Sequence, residues 1–251
     1  MRRTRLGAAV PAVASCLAAL MVAPASATSP APTTAGADIE RTLLFSGSDL
    51  WHTGGFLYGG FLWSDLGLDR DGLVIKYLAG TGTYRYFSGA QEIAAAQIVT
   101  SVMPGWSFVK DKFQLRVFGG VDLQQHWHSP DDPSSRLRGS AFGLRFGLET
   151  WWEPVPGETM TRAAASWSTV GTSYGVEAAV GWRVLERFHG GFYVGPELQA
   201  LGDGDYRQIR LGAHMTALRL GTLEWSAGAG VTTDSDSRTG PYLRFGVLSR
   251  H

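Results

Sequence analysis

Residues 140–152 read as two interleaved rows. One row is Phe142, Leu144, Phe146, Leu148, Thr150 and Trp152; the other is Ala141, Gly143, Arg145, Gly147, Glu149 and Trp151. An extended strand points successive side chains to opposite faces, so one face here is apolar and the other carries glycine and charge. A soluble sheet buries its apolar face in a core. A membrane barrel turns that face to lipid and keeps the polar face inside.

The pattern returns along the chain. Tyr174, Val176, Ala178, Val180 and Trp182 oppose Gly175, Glu177, Ala179, Gly181 and Arg183. Ile209, Leu211, Ala213, Met215 and Ala217 oppose Gln208, Arg210, Gly212, His214 and Thr216. Leu223, Trp225, Ala227, Ala229 and Val231 oppose Glu224, Ser226, Gly228, Gly230 and Thr232. Turn signals divide the sequence into strands near 42–51, 53–63, 72–86, 91–109, 112–125, 139–152, 159–169, 173–185, 191–201, 206–219, 222–232 and 240–250. Residues 90–98 also admit a helical spacing, but the neighbouring strands favour a strand. Pro196 removes a ladder donor and predicts a bulge. Short connections at 110–111, 154–157 and 221–222 are set against longer ones at 126–138, 202–205 and 234–238, the asymmetry of an outer-membrane barrel, with 64–71 long for the first set and the turn around His52 short for the second. The reading is an all-β fold: a single up-and-down antiparallel transmembrane β-barrel of about twelve strands, of outer-membrane type.

The N-terminus supports export. Arg2, Arg3 and Arg5 precede an apolar run, and Ala25-Ser26-Ala27 is a small-x-small site, which predicts cleavage after Ala27. The expected organisation is a signal peptide over 1–27, a flexible lead-in over 28–40 and a barrel over 41–251. Cys16 is the only cysteine and falls in the signal, so disulfides, thiolate metal sites and cysteine catalysis are excluded from the mature chain. Basic and acidic residues balance at 22 each, which argues against a nucleic-acid partner.

Several stretches, in order, carry a family likeness: Gly47-Ser48-Asp49-Leu50-Trp51, Leu68-Asp69-Arg70-Asp71-Gly72-Leu73, Gly82-Thr83-Tyr84-Arg85-Tyr86, Pro104-Gly105-Trp106, Ser129-Pro130-Asp131-Asp132-Pro133 with Arg136-Leu137-Arg138-Gly139, Asp205-Tyr206-Arg207-Gln208, and Leu223-Glu224-Trp225-Ser226-Ala227-Gly228. Over residues 45–250 the chain resembles the cellulose biosynthesis protein BcsS family of alphaproteobacteria. The resemblance implies an envelope accessory of cellulose synthesis and brings no catalytic residues with it.

The predicted lumen row holds Arg116, Asp122, Gln124, Arg145, Glu149, Glu177, Arg183, Glu197, Gln199, Gln208, Arg210, His214, Glu224 and Arg244. These residues suit either a hydrophilic path for a neutral glucan or an ion-paired structural filling. If the interior is hydrated, serine for Gly143 or Gly212 is a mild change. His126, His128, Ser129, Asp131 and Asp132 invite a catalytic or metal reading. The two histidines lack a third ligand, however, and Ser-Pro-Asp-Asp-Pro is turn chemistry. No catalytic, metal or cofactor site is therefore assigned. Most tryptophans, including Trp63, Trp106, Trp151, Trp152, Trp167, Trp182 and Trp225, read as interfacial anchors. Trp51 and Trp127 are the sugar-contact candidates. The expected partners are outer-membrane lipid and cellulose or other cellulose-synthesis components. The expected function is non-enzymatic support of polysaccharide export or assembly. The alternatives are an outer-membrane enzyme acting on lipid or glycan through the 126–132 loop, and a secreted soluble β-barrel binder.

Overall fold

The computed structural model describes residues 39–204 and 206–251. The expected signal peptide, its Ala27 cleavage site, Cys16 and all but the last two residues of the lead-in lie outside the described residues. The strands are β1 (Thr42–Trp51), β2 (Gly54–Ser64), β3 (Gly72–Ser88), β4 (Gln91–Lys110), β5 (Phe113–Ser129), β6 (Gly139–Trp152), β7 (Thr159–Ser168), β8 (Tyr174–Val184), β9 (Phe192–Gly202), β10 (Arg207–Leu220), β11 (Leu223–Asp234) and β12 (Thr239–Arg250). Each pairs antiparallel with its neighbours in sequence, and β1 pairs with β12, so the sheet closes on itself. Closure leaves no strand edge unpaired around the ring, the condition for crossing a bilayer with strands. One 3-10 turn, Val170–Thr172, is the only helical element among the described residues.

Alternation sorts the side chains as the β6 rows require. Phe142, Leu144, Phe146, Leu148 and Trp152 are exposed, whereas Arg145, Glu149 and Trp151 are buried. The same apolar exterior continues through Leu57, Ile98, Val176, Leu198, Ile209, Leu211, Val231 and Phe245. An exposed apolar belt of this extent on a closed barrel is the pattern of strands that cross a bilayer. Trp63, Trp106, Trp152, Trp182 and Trp225 lie on outward rows near the end of the barrel that holds the termini, an aromatic girdle. Trp151, expected among the anchors, is instead interior: its indole donates to Glu153 at 3.3 Å and meets Tyr193 edge-on.

Three expectations are corrected. The bulge is in β10, where the register shifts between Met215 and Leu218 and Ala217 adopts φ 65°, so Ala217 is buried and not outward. At Pro196 the β8–β9 ladder only skips rungs between Ala179↔Glu197 and Trp182↔Val194, with the register intact. The connection read as 126–138 is shorter, because β5 continues to Ser129. The two ends also differ little in connection length. Segments 65–71 and 185–191 at the termini end rival 130–138 at the far end. The height difference comes from strands: β3, β4 and β5 have 17, 20 and 17 residues against 10–14 elsewhere. By register β3 and β4 run four residues past the β1–β2 turn and β5 one, forming a flap.

Arginine in place of Leu144 or Ala213 should cost about 2–4 kcal/mol near the midplane, read as a loss of heat-modifiable folded barrel. Gly212→Ser should be harmful too. A Cβ there would lie 2.2 Å from the Ala229 carbonyl and 2.3 Å from the Tyr242 hydroxyl. A cost of about 1–3 kcal/mol by urea titration in lipid is expected for such overpacking.

Candidate functional site

The distinctive chemistry of the barrel is inside it. Arg116, Asp122, Gln124, Arg145, Glu149, Glu177, Glu197, Gln199, Gln208, Arg210, His214, Glu224 and Arg244 are all buried. Arg183 is half-buried near the termini end, where its guanidinium donates to the Gly190 carbonyl and lies 5.6 Å from the Tyr193 ring centre. The interior also holds Asp49, Lys76, Gln97, Gln114, His126 and Arg162, which the sequence reading did not place there.

These groups form four knots, each of which bridges non-adjacent strands. The largest centres on Glu197 of β9. It accepts from the Tyr242 hydroxyl at 2.8 Å, from Arg244 at 2.5 Å and from Arg162 at 3.3 Å. Arg244 also donates to Glu177 at 2.6 Å, so β7, β8, β9 and β12 meet in one cluster. In the second knot Arg210 contacts both oxygens of Asp49, at 2.9 and 2.8 Å, and donates to Gln208 at 3.1 Å. Its guanidinium lies 5.3 Å from the ring centres of both Trp51 and Tyr242, a cation–π sandwich. In the third, Asp122 accepts from Arg145 at 2.7 Å, Gln124 at 2.8 Å and Ser168 at 2.5 Å. The fourth pairs Lys76 with Glu149 between the Phe45 and Phe118 rings.

Glycine on the inner rows makes room for these knots. A Cβ at Gly228 would lie 2.4 Å from the Glu197 carboxylate, and one at Gly47 would lie 2.4 Å from the Tyr58 hydroxyl. The recurrent Gly–charge pattern therefore records large side chains reaching across from neighbouring strands. Around β1–β4 the filling is apolar, with Leu43, Phe45, Phe56, Leu62, Val74, Leu78, Val99 and Met103 in one cluster.

Both ends are covered. At the termini end Leu68 enters that apolar cluster, and its carbonyl accepts from Gln114 at 2.8 Å. At the far end the 130–138 loop folds inward. Leu137 packs on Val170, and the Tyr86 hydroxyl donates to Asp132 at 2.8 Å. Arg238 ties the β11–β12 turn to Asp234 at 2.9 Å and to the Arg85 carbonyl at 3.3 Å. Asp122, Arg210, Gln199 and His214 are no more than 2 % exposed, so side chains pack across the middle of the barrel.

The loop residues do not assemble a reaction centre. His126 faces inward, with Nε2 2.9 Å from Gln124 Oε1. His128 meets the edge of Tyr86, and Asp132 is held by Tyr86 and Ser134. Among the described residues no group of three or more His, Cys, Asp or Glu side chains is placed to hold a metal ion. Trp51 is half-buried inside, against Arg210, whereas Trp127 is outward and 49 % exposed.

Two tests follow from this geometry. Removing one member of the Glu197–Arg244 pair leaves its cluster with Glu177 and Arg162 carrying one uncompensated buried charge, so Glu197→Gln or Arg244→Met should cost about 3–5 kcal/mol. The double replacement should cost less than the sum, and a double-mutant cycle on urea unfolding measures this. In the loop, burial pulls the Asp132 carboxyl upward, but hydrogen bonds from Ser134 and Tyr86 outweigh it and hold it below the usual 3.8. Its stabilising contribution is present above pH 3.8 and is lost as pH falls through the lower folded value. Hydrogen exchange of 130–138 should therefore rise below about pH 4 in the wild type. In Asp132→Asn it should already be high at neutral pH.

No curated protein matches the chain. Among solved structures, the beta domain of the Bordetella autotransporter Brka is 14% identical with TM-score 0.48, over 84% of this chain and 99% of that one. LpxR from Salmonella typhimurium is 11% identical with TM-score 0.48, over 83% and 99%. The KdgM porin is 12% identical with TM-score 0.42, over 82% and 98%. The family model for cellulose biosynthesis protein BcsS matches residues 43–251, from the first strand to the last residue. The chain is therefore a member of the BcsS family of cellulose biosynthesis proteins.

Proposed function

We propose that this barrel is a non-enzymatic outer-membrane accessory of bacterial cellulose synthesis. It supports export or assembly of the polysaccharide without passing the glucan through its own interior. The observation that carries this reading is the closed middle. A threading polymer needs a continuous wet path, whereas Asp122, Arg210 and His214 are 0–2 % exposed and ion-paired or hydrogen-bonded to neighbouring groups. Opening that path would break several buried ion pairs at once, each costly to leave half-made. Outer-membrane residence is supported by the apolar belt and the tryptophan girdle. The cellulose context is supported by family membership. The working surfaces are then the two ends and the tall flap, where partners from the cellulose-synthesis machinery or the polymer itself would dock.

Deleting the protein should reduce or disorganise extracellular cellulose while glucan synthesis from nucleotide sugar by isolated inner membranes stays intact. Purified barrel in planar bilayers should show no sustained conductance, and a stable open channel would overturn the closed reading. Asp131→Ala and His128→Ala should leave cellulose output near normal at normal barrel abundance. Loss of output from either one would put the enzyme alternative first.

A further inference from the structure

The flap carries a recess that the interior network does not explain. It has a volume of about 650 Å³ and lies beside the β1–β2 turn, against β3, β4 and β5. Tyr84 and Ala95 contribute to it, yet their side chains face inward and are 5 % and 4 % exposed. The open space is therefore on the outward face. There the register sets two tiers abreast: Thr83, Ala96 and Trp127, then Arg85, Ala94 and Ser129. Neighbouring strands are about 4.8 Å apart and alternate residues about 7 Å apart, so the two tiers frame an area the size of one or two sugar rings. Alanine at the centre of both tiers makes the floor low. Trp127 forms one wall, 49 % exposed. The opposite wall is Arg85, paired with Glu92 at 3.9 Å with both side chains more than half exposed.

The level of the recess matters as much as its shape. Down the outward row of β4, charge returns only at Lys110, and Ile98, Val102, Trp106 and Phe108 fill the interval. Twelve residues of tilted strand from 98 to 110 span about 30 Å, a bilayer core, so Arg85, Glu92 and Ala94 stand above it. The girdle tryptophans cluster at the other end. Trp127 is set apart by standing next to small residues and a charge pair.

We propose that this recess binds a neutral glucan segment at the cell-surface side of the membrane. Resting on the cellulose reading above, this inference names the polymer as the ligand. The indole face offers a flat apolar platform for the C–H face of a pyranose ring. The guanidinium and carboxylate of Arg85 and Glu92 offer paired donors and acceptors to vicinal hydroxyls. Because that pair is charge-balanced, it matches an uncharged polyol and not an anionic polymer.

The test uses the full mature barrel in lipid nanodiscs, with cellohexaose as the probe and tryptophan fluorescence and calorimetry as readouts. Saturable binding is expected, weakened at least tenfold by Trp127→Ala and by Ala94→Trp, which fills the floor. Trp167→Ala, an outward tryptophan on another strand, should leave it unchanged, and heat-modifiable migration should verify folding of each variant. Absence of cellohexaose binding by the folded wild type overturns the proposal. So does binding that Trp127→Ala and Ala94→Trp both leave intact, or binding of lipopolysaccharide core sugar without cellohexaose. If deletion leaves cellulose unchanged while Trp127-dependent binding persists, the accessory role falls and the glucan site stands. If deletion lowers cellulose but no probe binds, the site falls alone.

Discussion

A closed strand barrel in lipid has to satisfy its interior from its own side chains, and this condition governs the structure. Twelve strands enclose more space than eight, whose side chains meet in the middle, and less than the sixteen or more that leave a channel. Filling the gap takes long side chains, and long polar ones are tolerated only when paired. The Glu197 carboxylate meets that need for four strands through Arg162, Arg244 and Tyr242, with Glu177 sharing Arg244. Asp49 and Arg210 join β1 to β10 in the same way. These bridges span the interior, so they fix the cross-section of the barrel as well as neutralising charge.

The pairing explains the glycines. A sheet that curves tightly and receives arginine and tyrosine from neighbouring strands needs inner positions without a Cβ. Gly47 below Tyr58, Gly212 below Tyr242 and Gly228 below Glu197 are such positions. Sequence alone left the interior either hydrated or filled, and in the hydrated case serine for Gly143 or Gly212 is a mild change. The geometry gives the opposite meaning: the glycine rows are among the most crowded parts of the molecule.

The strands were legible because alternation against lipid is enforced at every outward position. Rows such as Ile209, Leu211 and Ala213 therefore stand out without help from tertiary structure. The β10 bulge was not legible, since Ala217 at φ 65° carries no glycine or proline to announce it. Pro196 misled for the converse reason: it sits where the β8–β9 ladder simply skips rungs. Within the interior, Lys76 escaped notice because its inner neighbours Val74 and Leu78 are as apolar as the outer row. The polar half, from β5 to β12, was readable apart from Gln114, His126 and Arg162, because charge there alternates with hydrocarbon. The apolar half around β1–β4 was not, because there both faces are hydrophobic.

That division bears on how the protein works. The apolar half of the interior lies beneath the flap, where the Phe45 and Phe118 rings flank Lys76 and Leu68 and Phe56 belong to the same buried cluster. Hydrocarbon packing of this kind is dense and resists deformation. The extra length of β3, β4 and β5 rises from this packed sector; its inner face is tied by Tyr86 to Asp132, and its β3 edge by Arg238, which donates to the Arg85 carbonyl and lies over the Phe87 ring. A platform held from both sides can present an outward surface without moving. A barrel whose centre is locked by ion pairs and whose one elevated element is tied at its inner face and its edge offers the fixed outer surface that the proposed glucan site needs.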